Sequence, residues 1–331
     1  DDWGDGWLRE AHWGYYTFDR NRTARQANLS YYLEDLGGDH SFKFGGEYEK
    51  LVTDDFSKHG PAPAGSQFDG EFIVYYPYYG EPYVAYQLDP FVNRNTSEVK
   101  VFTVYGQDDW TVGDRLTLNL GLRFDHWDIG YVDATRDGMP TMNDVSPRLG
   151  AVFDVLGDGR VSAHVFYGRF YEEVHGGIFD NFDPQASTWL AYYYDGSEYV
   201  RDPPYDYNPL LGLDIDPNLK NQWSNQFTTG VDYQLYENVA VSAKYIHKYD
   251  SDVIGAEDQG STFVRRDYTA YTGAIIPGWA ADPRDEFRVL VNNPNTAYIG
   301  DIYREYDGFQ VKFNKRLSDG WQMQGSYMVQ K

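Results

Sequence analysis

The residues of this chain that could do chemistry are carboxylates, histidines and tyrosines, and their spacing is not typical of catalysis. The seven histidines form neither an HExxH nor an HxH pair. No G-x-S-x-G nucleophile turn and no phosphate-binding G-x-x-x-x-G-K-[ST] loop occurs. The chain has no cysteine, which excludes thiol catalysis and zinc–thiolate sites. We therefore predict that the chain is not an enzyme and has no cofactor. One pair of residues is nevertheless a candidate metal site.

That candidate is the pair Asp214 and Asp216, in the phrase LGLDIDPN. Carboxylate oxygens at this spacing suit calcium, which takes oxygen ligands. The same pattern is typical of a loop turn in which Asp side chains accept hydrogen bonds from nearby backbone N–H groups. Both interpretations stay open at this point.

Tyrosine clusters are the candidates for ligand binding. Tyr offers a large amphipathic contact area at low entropic cost, so exposed Tyr-rich loops suit the capture of peptides or glycans. They equally suit packing of one loop against another. The candidates fall in two segments of the sequence: Tyr75, Tyr76, Tyr78 and Tyr79 in the first, and Tyr192, Tyr193 and Tyr194 in the second.

Charge and hydropathy narrow the function classes. The net charge is −23, from 51 acidic and 28 basic side chains, and such a charge repels a phosphate backbone, so we predict no nucleic-acid partner. No apolar run approaches the roughly 20 residues of a transmembrane helix. The absence of such a run does not exclude the strands of a membrane β-barrel, because only alternate residues of those strands face lipid.

The clearest structural pattern lies in Val99–Asp128. Leu116, Leu118, Leu120, Leu122 and Phe124 alternate with Thr117, Asn119, Gly121, Arg123 and Asp125. Strict alternation predicts a β-strand with one apolar and one polar face. A soluble sheet packed on a core and a membrane wall between lipid and water both fit this stripe.

Four further hairpins follow the same rule, and short turns alternate with long loops along the chain. The predicted turns are Asp35–His40, Thr111–Arg115, Leu156–Arg160, Tyr236–Asn238 and Leu317–Gly320; the long loops are Leu51–Ser97, Glu172–Asn221 and Asp250–Glu305. Aromatic residues recur at both ends of the strands. Outer-membrane barrels have this arrangement, with short periplasmic turns, long extracellular loops, a polar lumen and two aromatic girdles. The sequence therefore favours an all-β, transmembrane antiparallel β-barrel.

Six phrases carry a family resemblance. They are GDHSFKFGGEYE (Gly38–Glu49), YGQDDWTVGDRLTLNLGLRFD (Tyr105–Asp125), SPRLGAVFDVLGDGR (Ser146–Arg160), YGRFY (Tyr167–Tyr171), PNLKNQWSNQFTTGVDYQL (Pro217–Leu235) and YDGFQVKFNKRLSDGWQMQGSYMVQK (Tyr306–Lys331). In this order and spacing they resemble the TonB-dependent outer-membrane receptors, particularly the Oar-like branch. The resemblance covers strands and short turns and does not extend into the long loops.

The resemblance implies a barrel of roughly 22 strands with a plugged lumen, of which residues 1–331 supply about ten. It also implies an N-terminal plug with a segment that contacts TonB. Neither the plug nor a C-terminal closing strand is recognisable in this sequence. We therefore expect residues 1–331 to be a partial barrel domain.

The function implied is a receptor in the outer membrane of a Gram-negative-type bacterium. Its extracellular loops would bind a substrate, a peptide or protein in preference to a siderophore or glycan, and the TonB complex would act through the plug. Expected further partners are the lipid bilayer, lipopolysaccharide and a surface lipoprotein. The alternatives are a passive porin-like or structural barrel without energy coupling, and a soluble β-sheet binding protein.

Overall fold

The fold comes from a computed structural model that describes residues 15–58, 73–78, 81–89, 92–174, 176–183, 188–202, 213–259, 263–269, 275–281, 288–294 and 300–331. Its main element is one ten-stranded antiparallel sheet in which every strand pairs with its neighbours in sequence. The strands are β1 (Tyr15–Leu33), β2 (Asp39–Lys58), β3 (Val92–Val112), β4 (Leu116–Tyr131), β5 (Thr141–Asp154), β6 (Val161–Tyr171), β7 (Trp223–Tyr236), β8 (Val239–Ser251), β9 (Arg304–Ser318) and β10 (Trp321–Gln330). The meander of hairpins that the sequence predicts is confirmed.

Short turns lie at one end of the sheet, here called the turn end, and long connections at the other, the loop end. The five turns follow β1, β3, β5, β7 and β9, as predicted. Two of the turns have only two residues, Glu237–Asn238 and Asp319–Gly320. Asp319 and Gly320 have φ of 55° and 82°, the left-handed pair favoured in two-residue hairpin turns. The connections at the loop end are residues 59–91, 132–140, 172–222 and 252–303.

The two faces of the sheet differ in chemistry, because successive residues of a strand point to opposite sides. Leu120 and Leu122 are 39% and 56% exposed on one face, whereas Arg123 and Asp125 line a cleft on the other. Residues from six successive strands line that single cleft, so the polar face is concave and the apolar face is convex. The convex face carries further exposed apolar side chains: Leu29, Phe44, Phe102, Val104, Leu149, Val165, Phe227, Val231 and Phe309.

Several strands are longer than the alternation predicts. Residues before Arg22 show no clear alternation, which predicts a loop or strand tip, yet β1 begins at Tyr15 and pairs with β2 as far as Lys58. These extra residues lie toward the loop end of the sheet and do not alternate between apolar and polar side chains. Backbone pairing continues there, but the hydropathy of the side chains does not reveal it.

The connections at the loop end form small sheets of their own. Tyr199–Arg201, Thr188–Tyr194, Glu81–Asp89 and Ile73–Tyr78 make a four-stranded sheet; Leu213–Ile215, Arg288–Asn292 and Ile254–Asp258 make a three-stranded one; Phe263–Thr269 pairs with Ile275–Ala281. The Tyr- and Pro-rich stretch Ile73–Tyr86 follows the first hairpin, and the sequence predicts that part of it continues the main strands. That prediction is wrong for its described residues, since they pair within a separate sheet. We call these sheets, with the 3₁₀ helix Gly176–Phe182, the loop layer.

A hydrophobic core joins the loop layer to the concave face. The ten-stranded sheet, here called the wall, contributes Val99, Val101, Trp127, Ile129, Tyr131 and Met142. The connections contribute Val174, Phe179, Phe182, Ile215, Leu219 and Leu290. Phe179 is fully buried. Burial of such side chains stabilises each by about 1.5–3 kcal/mol, so the loop layer is fixed over the loop end of the concave face. No helix in the described part of the chain has the length and apolarity to cross a membrane.

Candidate functional site

The cleft on the concave face has a volume of about 260 Å³ and lies where the wall meets the loop layer. Most of the lining residues are alternate residues of β1 to β6, which point to the same face of the sheet. The pairing of these strands brings side chains that are distant in sequence to one surface. Its lining is polar and charged, with an aromatic edge: Arg22, Glu47, Glu49, Leu51, Val101, Thr103, Arg123, Asp125, Trp127, Ser146, Arg148, Phe170, Tyr171 and Glu173.

One side of the cleft presents a buried carboxylate that is only half satisfied. Glu49 is 7% exposed, and its Oε2 accepts a 2.6 Å hydrogen bond from the guanidinium of Arg22. Its Oε1 is buried and has no hydrogen-bond partner. A buried acceptor left in this state costs about 1–3 kcal/mol, which marks it as a point where a donor is needed.

The middle of the cleft is a closed polar group. Arg123 Nε lies 2.8 Å from Asp125 Oδ2, and Thr103 donates a 2.5 Å hydrogen bond to Asp125 Oδ1. Thr103 also accepts from Arg123 at 3.2 Å. Because each of these three side chains finds a partner in the other two, we assign them a structural role.

The far side of the cleft carries a cation. The Arg148 guanidinium lies 5.1 Å from the centre of the Phe170 ring and has no carboxylate partner among the described residues. Glu47 and Glu173 likewise form no ion pair in the described part of the chain. The lining groups without an ion-pair partner among the described residues are thus two carboxylates at one side of the cleft and a guanidinium at the other.

Three hydrogen bonds fix the connection 172–222, here called the roof of the cleft, to the wall. Asn221 donates to Asp144 at 2.5 Å, the Tyr131 hydroxyl donates to the Phe179 carbonyl at 2.8 Å, and the Thr96 backbone N–H donates to Asp183 at 2.8 Å. All are buried, so they position the connection 172–222 more specifically than apolar packing alone can.

The structure brings the two predicted tyrosine clusters into one sheet of the loop layer. Tyr75 and Tyr192 both pair with Ala85, and Tyr76 and Tyr193 both pair with Val84. Tyr78 lies on the same edge strand, and Tyr79 lies outside the described residues.

The second cluster divides between packing and exposure. Tyr192 donates a 2.5 Å hydrogen bond to Gln87, and Tyr194 packs against Tyr199 with ring centres 5.2 Å apart. Tyr193 is 43% exposed. Packing between connections therefore involves Tyr192 and packing within one connection involves Tyr194, while Tyr193 is available to a ligand. Ligand binding by either cluster stays a prediction.

The two aspartates proposed for calcium have protein partners. Asp214 lies 3.7 Å from Arg136, and Asp216 accepts a 2.8 Å hydrogen bond from the Asn218 backbone N–H. This is the capped turn that the sequence offered as the alternative. Within the described ranges, the group of three acidic or histidine side chains close enough to share an ion lies elsewhere, at His247, Glu305 and Asp307. Calcium at Asp214 and Asp216 stays a prediction.

In a barrel, the polar alternate residues Arg123, Asp125 and Arg148 are predicted from the sequence to line the lumen. The sequence gives no comparable reason to single out Glu47, Glu49 or Trp127. The signal was present in the alternation of β2, where Glu47 and Glu49 oppose Phe44 and Tyr48. What the sequence could not supply is the register that places Glu49 beside Arg22.

Comparison with known proteins identifies the wall. Residues 1–272 match the family described as TonB dependent receptor-like, beta-barrel. The chain belongs to this TonB-dependent receptor family. It is 27% identical over 363 aligned positions to the TonB-dependent transporter Oar of Myxococcus xanthus, which covers 93% of this chain and 31% of that protein. The resemblance seen in the sequence is confirmed.

Solved structures agree on the fold of this TonB-dependent receptor. The outer membrane transporter YddB of Escherichia coli matches with a TM-score of 0.58 at 13% identity, covering 96% of this chain and 34% of that one. The ferric-catecholate import receptor Fiu of E. coli matches with a TM-score of 0.52 at 12% identity, covering 95% and 38%. The chain thus spans about a third of the length of the relatives it matches.

Family membership shows which face of the sheet contacts lipid and which borders the lumen. TonB-dependent receptors reside in the outer membrane of Gram-negative bacteria, so the convex apolar face of the sheet contacts lipid and the concave polar face borders the lumen. The family is one of transporters and receptors, not an enzyme class. From here the cleft is called the lumenal cleft.

Proposed function

We propose that this TonB-dependent receptor imports a scarce substrate, which enters from the cell exterior at the loop end and passes along the lumenal face. The loop layer would be extracellular and the turn end periplasmic. A plug domain would close the lumen, and the TonB complex would open the path by pulling on the plug. The substrate class we favour is a peptide or protein segment.

The observation that carries this proposal is the loop layer folded onto the concave face. Twelve apolar side chains join the connections to the wall, and a charged cleft lies directly beneath them. A passive pore has no need of a fixed roof over a site with unsatisfied polar atoms. A receptor that holds its substrate before transport does.

Depletion of compounds from the growth medium tests the proposal and requires no choice of substrate in advance. The native host, a strain lacking this gene and a strain lacking TonB are grown in one complex medium, and the spent media are compared by mass spectrometry. We expect at least one compound, with peptides the first class to inspect, to be consumed by the parent and spared by both mutants.

The controls separate the alternatives. A compound spared by the gene deletion but consumed normally without TonB would indicate a passive pore and contradict energy coupling. Restoring the gene on a plasmid must restore consumption, which excludes secondary effects of the deletion on the outer membrane.

A further inference from the structure

We propose that Arg169, on the lipid-facing side of the wall, binds the phosphate group of an outer-leaflet lipid. The inference rests on the orientation given in the proposed function, because the loop end of the sheet then lies at the outer leaflet. It goes beyond that function by assigning the receptor a lipid-binding site outside the lumen. The site is formed by the loop ends of β6 and β7.

Arg169 points to the convex face of the sheet. It lies two residues from Tyr167, the cross-strand partner of the exposed apolar residues Leu149 and Phe227. Side chains two residues apart in a strand share a face, so Arg169 lies next to the apolar band, on its loop-end side. Because β6 and β7 each pair with a strand on both sides, the wall is continuous here. A plug in the lumen lies on the opposite side of that wall, and the space in front of Arg169 is membrane.

Two neighbours hold the guanidinium of Arg169 in place. Its Cζ lies 4.2 Å from the centre of the Trp223 ring, and its Nε donates a 2.9 Å hydrogen bond to Asn225 Oδ1. The cation–π contact and the hydrogen bond together fix the plane of the guanidinium. The two terminal nitrogens make no hydrogen bond to a side chain in the described part of the chain, so a fixed pair of donors remains for a ligand.

The charge of Arg169 has no protein counter-charge among the described residues. The acidic side chains of the adjoining connections are bonded elsewhere: Glu172 lies 3.3 Å from Arg304, and Asp252 accepts a 2.8 Å hydrogen bond from the indole N–H of Trp223. A charged side chain at the lipid-facing side of a membrane protein is costly unless it is neutralised. In a chain with a net charge of −23, an anion of the membrane supplies that neutralisation.

A lipid phosphate matches both the donors and the surface around them. A guanidinium donates two parallel hydrogen bonds to phosphate oxygens, and such charge-assisted bonds are roughly twice as strong as neutral ones. On the turn-end side of Arg169, the exposed rings of Tyr167 and Phe227 offer apolar contact to acyl chains. A lipid gains that contact and free phosphate does not, so the ligand class is a phosphorylated lipid.

Native mass spectrometry of the intact protein in detergent tests the proposal. The probe is lipid A, a phosphorylated glycolipid, and the comparison lipid is the same molecule without its phosphates. We expect wild-type protein to retain about tenfold more lipid A than dephosphorylated lipid A, because only the former receives the charge-assisted hydrogen bonds. Inorganic phosphate at the same concentration should not displace the lipid.

Matched variants assign the preference to Arg169. Arg169→Gln should abolish it, and Trp223→Leu should reduce it because the guanidinium is no longer held. Lys248→Gln is the control and should behave like wild type: Lys248 is exposed on the concave face and pairs with Gln226, the partner of Gly168. Heat-modifiable migration on a gel verifies folding. If Arg169→Gln fails to fold, Arg169→Lys serves, with a reduced preference expected because lysine lacks the two parallel donors.

Three results would overturn the inference: equal retention of the two lipids by wild type, an unchanged preference in Arg169→Gln, or displacement by inorganic phosphate, which would indicate a site for soluble phosphate. None of them touches the proposed function, because the measurement uses no TonB and no imported substrate. Conversely, substrate consumption that is independent of TonB, with the preference for lipid A intact, would reject the proposed function alone.

Discussion

Asn221 donates a 2.5 Å hydrogen bond from its side-chain amide to Oδ2 of Asp144, and both residues are almost fully buried, at 1% and 2% exposure. Asp144 belongs to β5 of the wall and Asn221 to the connection 172–222. The bond therefore joins the roof of the lumenal cleft to the barrel at a point closed to water.

Replacing Asn221 by Asp should release this roof. The substitution keeps the shape of the side chain but sets a second carboxylate against Asp144, at a cost of about 1–3 kcal/mol for the lost hydrogen bond alone. We expect faster hydrogen exchange in residues 176–182, measured by mass spectrometry. Asn314→Asp, at an exposed wall position, is the control and should leave that exchange unchanged; equal protection in both variants would show that the bond does not hold the roof.

The two faces of β4 should respond oppositely to a charge. Leu120→Arg places a guanidinium on the lipid-facing side and should reduce folding stability in bilayers by about 2–4 kcal/mol if it lies near the midplane. Asn119→Arg, one residue away and facing the lumen beside Asp109, should fold almost normally. Urea titrations in lipid vesicles, read by gel migration, compare the two. Equal losses would contradict the assignment of faces.

The sheet that joins two connections of the loop layer can be tested by a disulfide, because the chain has no native cysteine. Ala85 and Tyr192 are direct cross-strand partners, within the Cα separation that a disulfide spans. Ala85→Cys with Tyr192→Cys should cross-link under mild oxidation, and Ala85→Cys with Tyr194→Cys, two residues out of register, should not. The readout is altered migration on a non-reducing gel.

Asp54 should titrate below the usual range for an aspartate. It lies at the loop end of β2, outside the membrane-spanning part, where hydrogen bonds from Arg94 lower its pKa. A lowered pKa in the folded state means stability that is present above the unfolded value of about 3.9 and lost as the pH falls through the folded value. In Arg94→Gln the pKa of Asp54 should rise toward normal, as measured by carboxyl ¹³C NMR; no movement would contradict the ion pair as the cause.

Most of the wall was predictable from the sequence, because lipid on one side and water on the other impose alternation on each strand. The stripe from Leu116 to Phe124 and the turn at Asp319–Gly320 are where the sequence predicts them. The parts beyond the apolar band were not predictable in this way. Strand pairing at Thr17 or Asp55 depends on backbone hydrogen bonds that any side chain allows.

The site was predictable only in part, since it depends on contacts between connections distant in sequence. The tyrosine clusters were identified by composition, but their meeting on either side of Ala85 requires the pairing of Glu81–Asp89 with Thr188–Tyr194. Similarly, Glu49 is an ordinary acidic residue in the sequence. It becomes notable only when Arg22 occupies one of its oxygens and burial isolates the other.

The orientation of the sheet in the outer membrane tests the central claim most directly. Single cysteines replace Ser197, at the loop end, and Glu237, at the turn end, in the otherwise cysteine-free chain. A membrane-impermeant maleimide is then applied to whole cells expressing the intact protein. We predict labelling of Ser197→Cys in intact cells and of Glu237→Cys only after the outer membrane is permeabilised. Labelling of Glu237→Cys alone in intact cells would place the loop layer in the periplasm and contradict a receptor that captures its substrate from outside.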